Sequence, residues 1–100
     1  MLSLANGTKA VRFALQVISA YVSRHLLPTP DLGEPFQEKR GVFVSLHTYP
    51  DHELRGCIGI PLPVMTLTEA IMESAQSVTQ DPRFPPLAAR ELDVVVVEIT

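Results

Sequence analysis

Two stretches of β-type sequence lie five residues apart, and this spacing constrains the chain more than any other feature. Gly41-Val42-Phe43-Val44-Ser45-Leu46-His47-Thr48 alternates in polarity, Tyr49-Pro50-Asp51-His52-Glu53 is turn material, and residues 54–60 return as a second strand. A parallel pair needs a crossover of a dozen or more residues, so a connection this short permits only an antiparallel hairpin. In the first strand Val42, Val44 and Leu46 share one face, while Phe43, Ser45 and His47 share the other. Gly56 and Gly59 are unfavourable inside a strand and mark a bulge or a close backbone approach.

Helices flank the hairpin in sequence. Val11, Leu15, Ile18, Val22 and Leu26 recur at helical spacing, with Arg12, Gln16, Ser19 and Ser23 opposite, which predicts an amphipathic helix over about 8–27. Asn6 or Thr8 is the expected cap, and Pro28-Thr29-Pro30 the expected stop. Thr66-Leu67-Thr68-Glu69 has the form of a capping box and opens a second helix over 66–80, with Leu67, Ile71, Ala75 and Val78 as its buried stripe. Residues 28–40 read as a loop. The three prolines of 81–87 make that stretch irregular, and a helical turn follows at 88–92. Val94-Val95-Val96-Val97-Glu98-Ile99 reads as a strand, and its unbroken valine run predicts burial on both faces. The fold class is therefore α+β: one domain, residues 1–100, whose antiparallel or mixed sheet includes the hairpin at 41–60 and is packed by two amphipathic helices.

Composition narrows the function classes. Apolar residues make up 46% and charged residues 19%, against about 25% charged in an ordinary domain. A net charge of −3 argues against nucleic acid and anionic membrane as partners. The apolar stretch from Val11 to Leu27 is broken by Arg12, Gln16, Ser19, Ser23 and Arg24, so it reads neither as a membrane span nor as a signal peptide. One cysteine, Cys57, forms no internal disulfide framework, and a cytoplasmic location is the expectation.

Leu54-Arg55-Gly56-Cys57-Ile58-Gly59 is the segment with chemical content. A thiol between two glycines leaves room for a ligand, and Arg55, two residues earlier, shares its strand face and can stabilise a thiolate. His47 on the facing strand is a weaker candidate for a base. The competing reading makes Cys57 a small buried hydrophobe. Arg83, held between Pro82 and Phe84, is arranged to clamp a carboxylate, either a ligand's or that of Asp81. His25 reads as a partner of the first helix's last carbonyls, and Asp51 and Glu53 as a solvated turn. His47, His52 and Cys57 match no standard zinc spacing, and strand alternation places the two histidines apart, so no metal and no cofactor are expected.

These residues, in this order, resemble the AMMECR-type domain family. Leu54-Arg55-Gly56-Cys57-Ile58-Gly59 is similar to its six-residue signature, Arg40-Gly41-Val42-Phe43-Val44-Ser45-Leu46 to the preceding strand, and residues 81–87 to its proline-rich loop. The alanines expected after the middle of the second helix are replaced by Ser77-Val78-Thr79. The resemblance implies an α+β fold of no settled activity, with the chain carrying the N-terminal half of a longer domain. It also implies a site at Arg55, Gly56, Cys57, Gly59 and Arg83, and association with a Memo-type protein and a radical S-adenosylmethionine enzyme.

Two function classes follow. One is a catalytic or anionic-ligand-binding module centred on Cys57; the other is a non-catalytic adaptor. Because a doubly buried last strand needs cover, self-association or the missing C-terminal half is expected to complete the molecule.

Overall fold

The computed structural model describes residues 3–100. Helix α1 spans Leu4–Val22, strands β1 and β2 span Val42–Thr48 and Leu54–Ile60, and helix α2 spans Leu67–Val78. A 3-10 turn, Ala89–Val94, leads into β3, Val95–Ile99. The three strands form one antiparallel sheet in the order β2-β1-β3; the short connection required antiparallel pairing of β1 with β2, and the structure adds β3 antiparallel on the other side of β1. No helix among the described residues is long and apolar enough to cross a membrane.

Alternation in β1 sends Val42, Val44 and Leu46 into the core, each 2% exposed or less. Ile60, Ile58 and Gly56 of β2 stand opposite them, with Ile99 and Val97 of β3 beside Val44 and Leu46. Helix α2 packs over β1 and β2, and α1 packs over β3 and against α2. Among the described residues, no helix packs on the other sheet face, which carries Phe43, Ser45 and His47.

Helix α2 follows its sequence closely. Thr66 accepts from the Glu69 N–H while Glu69 Oε1 accepts from the Thr66 N–H, and Leu67, Ile71, Ala75 and Val78 are all buried. Helix α1 departs from its expected form. It starts at Leu4, where Ser3, not Asn6 or Thr8, supplies the capping oxygen to the Asn6 N–H. It ends at Val22, short of the prolines. Arg24 adopts φ +60° and the His25 N–H reaches back to the Ala20 carbonyl, closing a Schellman-type cap. His25 thus serves the last carbonyls through its backbone.

The buried stripe of α1 is rotated relative to the expected one. Ala10, Phe13, Ala14, Val17 and Ile18 face inward, whereas Leu15 is 42% exposed and Leu26 97%. Phe13, at 1% exposure, is among the largest side chains in the core. Residues 28–40, expected to be featureless loop, contribute Phe36 to the core at 0% exposure.

The valine run is corrected as well. Val94 belongs to the 3-10 turn, Val97 is buried, and Val96 is 38% exposed on the uncovered face. As an outer strand, β3 has core contact on one side only. The inference of a doubly buried interior strand fails because four valines cannot distinguish alternation from double burial.

Candidate functional site

The hairpin register places Cys57 directly opposite Ser45 on the uncovered sheet face. Its backbone N–H and C=O point away from β1, toward the open edge of β2, and the loop after α2 receives both. Asp81 Oδ2 accepts from the Cys57 N–H at 3.0 Å, and Arg83 Nη2 donates to the Cys57 carbonyl at 3.2 Å. Side chains of an antiparallel pair approach most closely where the backbones do not bond to each other. The Ser45 hydroxyl accordingly lies 3.3 Å from Cys57 Sγ and donates to it. Cys57 is half-buried, so neither the open-surface nor the core reading of the thiol describes it fully.

Both glycines are needed for close approach. A Cβ on Gly56 would meet the Val78 carbonyl oxygen at 2.9 Å and Val78 Cγ2 at 3.1 Å, so glycine there lets the end of α2 lie on β2. A Cβ on Gly59 would meet the Val42 carbonyl oxygen and the Phe43 ring, which covers the bare backbone. The first contact sets the site: it brings Asp81, three residues past Val78, to the strand edge.

Asp81 is the hub. Besides the Cys57 N–H it accepts from the Arg83 N–H and takes a two-pronged bond from the Arg83 guanidinium, at 3.1 Å from Nε and 2.8 Å from Nη2. The Arg83 bonds foremost, then the Cys57 N–H, hold its carboxyl well below the usual carboxylate range against the opposing effect of burial. The Arg83 guanidinium is held above its ordinary value, first by the bonds it donates to Asp81. Of the two clamping partners the sequence left open for Arg83, the structure contains Asp81, while the Arg83 side chain remains 58% exposed.

Arg55 sits at a register break. Leu46 stands opposite Gly56 and His47 opposite Leu54, so Arg55 is the extra residue of a β-bulge. Its guanidinium grips Glu91 at 2.8 and 3.2 Å and also reaches the Pro86 carbonyl at 3.4 Å. That bond, the Arg55 charge and the Ala88 N–H depress the Glu91 carboxyl despite partial burial. Arg55 therefore ties the bulge to the segment before β3.

His47 lies on the same face as Ser45, but its ring engages Glu98 and His52 rather than the thiol. Nδ1 is 2.6 Å from Glu98 Oε1, and the two imidazoles stack 4.3 Å apart at 5°. The expectation that alternation separates His47 from His52 fails because the turn folds back, with His52 at φ +55°. Sequence reasoning passed over Ser45, His52 and Glu98 as site residues. Glu98 carried a readable signal: a lone charge after four valines marks the side of the strand facing water.

These features define an α+β domain that presents a half-buried thiol, clamped through its own backbone, on an uncovered sheet face. The AMMECR1 family model matches residues 11–100, and the chain belongs to that family. Protein MJ0810 of Methanocaldococcus jannaschii is 52% identical over 101 residues, covering all of this chain and 50% of that protein. Protein Ta0236 of Thermoplasma acidophilum is 45% identical, covering 99% of this chain and 48% of its own length. Among solved structures, the uncharacterized protein PH0010 of Pyrococcus horikoshii superposes with a TM-score of 0.84 at 40% identity, covering 93% of this chain and 49% of that one. The chain spans about half the length of these relatives.

Proposed function

We propose that the domain is a thiol-centred catalytic or ligand-binding module in which Cys57 meets the ligand on the uncovered face of the sheet. The observation that carries this reading is the clamp on the Cys57 backbone. An edge strand would ordinarily leave those groups to water, whereas Asp81 and Arg83 hold them and leave Sγ with one hydroxyl partner, Ser45. Such rigid placement of a reactive group is what chemistry or selective binding requires. Arg83 supplies the exposed positive charge for an anionic ligand. Arg55, Gly56 and Gly59 shape the strand that carries the thiol. A thiol kept free suits the reducing cytoplasm.

Native Cys57 is expected to react with iodoacetamide at neutral pH at least as fast as a small free thiol, and Asp81→Asn to slow it by releasing the strand edge. Alkylation followed by mass spectrometry on folded protein checks this. Labelling that begins only on denaturation returns Cys57 to a packing role.

A second reading, an adaptor, is favoured by Phe43 and Val96, both more than a third exposed on the same face, and by the apolar groove that Leu4 and Val11 form with Ile99. Its partners would be a second copy of the chain, the remainder of a longer chain, or the Memo-type and radical S-adenosylmethionine proteins that the sequence resemblance implies. Sedimentation at tens of micromolar is expected to show species above 11.0 kDa. A monodisperse monomer there removes self-association from the account.

A further inference from the structure

Beside the thiol, on the same uncovered face, three metal-ligating side chains from three segments converge. The β-bulge re-aims His47, the left-handed His52 closes the turn above it, and Glu98 projects from β3 diagonally across from His47. One nitrogen from each histidine and one oxygen from Glu98 all lie within 4.8 Å of one another. His47 Nδ1 is buried and has no hydrogen-bond partner among the described residues, although Glu98 Oε1 is 2.6 Å away. The contact has the length of an ion pair but not the direction of an N–H bond. An ion bound tetrahedrally by both atoms would hold them about 3.3 Å apart, so the exposed Glu98 side chain would swing outward to admit it and give the buried nitrogen a partner.

The geometry points to a site for one divalent transition-metal ion of the zinc class, bound by His47, His52 and Glu98. Two imidazole nitrogens and a carboxylate form a borderline-soft donor set, which suits zinc and its first-row neighbours rather than magnesium or calcium. A metal–imidazole bond lies in the ring plane, and the two rings are now parallel. His52, with its side chain 62% exposed, is the ring free to turn out of the stack and bring Nε2, now 3.5 Å from Glu98 Oε1, to the ion. Three protein ligands leave the fourth position to solvent, the ligand count of zinc sites that act on a substrate rather than brace a fold. Glu98 and Cys57 flank Ser45 on opposite sides, roughly two strand spacings or ~9.5 Å apart, so the ion and the thiol would address one surface without sharing ligands.

Calorimetric titration of the chelator-treated polypeptide with Zn²⁺ alone tests the assignment. One equivalent is expected to bind saturably, with affinity reduced at least about tenfold in each of His52→Ala and Glu98→Gln and unchanged in Cys57→Ser. Both ligand positions are exposed, so these variants keep the parent circular dichroism. Co²⁺ in place of Zn²⁺ is expected to give d–d absorption without a sulfur charge-transfer band. Absence of saturable binding overturns the proposal and leaves a histidine pair over a carboxylate. Parent affinity in His52→Ala, or loss of binding in Cys57→Ser, overturns it in favour of another ligand set.

Discussion

Gly56→Val is expected to destabilise the domain by about 2–3 kcal/mol, a large fraction of the roughly 5–15 kcal/mol that holds a domain of this size together. The added Cβ alone would lie 2.9 Å from the Val78 carbonyl oxygen, a backbone atom that moves only if the end of α2 moves. The helix cannot lift freely, because its buried face also packs on β1 and against α1. Gly56→Ala should cost less but not nothing, since its single methyl already meets the Val78 carbonyl oxygen while valine adds two further carbons to the same crowded space, and the graded pair separates overpacking from loss of glycine as such. The midpoint of thermal melting should fall by roughly 10 °C or more for the valine variant. Equal midpoints for parent and Gly56→Val would show that α2 approaches the strand less closely than described. The site should suffer together with stability: Asp81 lies three residues beyond Val78, so a displaced helix end carries the clamp away from Cys57.

Asp81→Asn is the second large effect, and it carries a pH signature. The folded state holds the Asp81 carboxyl below its ordinary value, chiefly through Arg83 and then the Cys57 N–H. A group depressed on folding contributes stability that is complete above its unfolded value, about 3.9 for aspartate, and that is lost as pH falls below it. At neutral pH the asparagine variant should unfold at a clearly lower urea concentration than the parent. It keeps one acceptor, but it places an amide where Arg83 or the Cys57 N–H expects an oxygen. From about pH 4 downward the parent loses its advantage progressively, and the two unfolding curves should draw together as pH falls toward the depressed folded value of the carboxyl. Parallel curves from pH 7 to pH 3 would mean that the Asp81 charge does not hold the strand edge. Arg83→Lys should weaken the clamp as well, since a lysine cannot reproduce the two-pronged bond made through Nε and Nη2.

Much of the architecture could be read before any coordinates. A five-residue turn between two β segments leaves antiparallel pairing as the sole option, and the capping box at Thr66–Glu69 locates the start of α2 to the residue. Both are local signals, expressed over a few consecutive residues by backbone sterics and nearby hydrogen bonds. The α1 stripe was less legible because its apolar residues nearly encircle the helix. Leu15 and Val17 are both strongly apolar, and the choice between them falls to whatever packs alongside, here α2 and β3. The valine run misled for a related reason: period-2 alternation is invisible when every position carries the same side chain, and only the lone Glu98 marks the outward side.

The candidate site divides along the same line. Sequence alone singled out Cys57, its glycines and the two arginines, because a thiol between two glycines is a local anomaly that strand propensity does not favour. It could not assign partners. Which carboxylate Arg55 takes, 36 residues away at Glu91, and which backbone groups Asp81 receives across 24 residues, depend on where the chain returns in space. His47, His52 and Glu98 show the limit most clearly. Their grouping needs a bulge, a left-handed turn residue and the register of a strand about fifty residues on, and no spacing rule encodes those three together. Local sterics and hydrogen bonding thus decided from the sequence which elements form and where the thiol sits along its strand. Tertiary packing decided which side chains meet it, because the free energy of those encounters depends on distances that only the closed core sets.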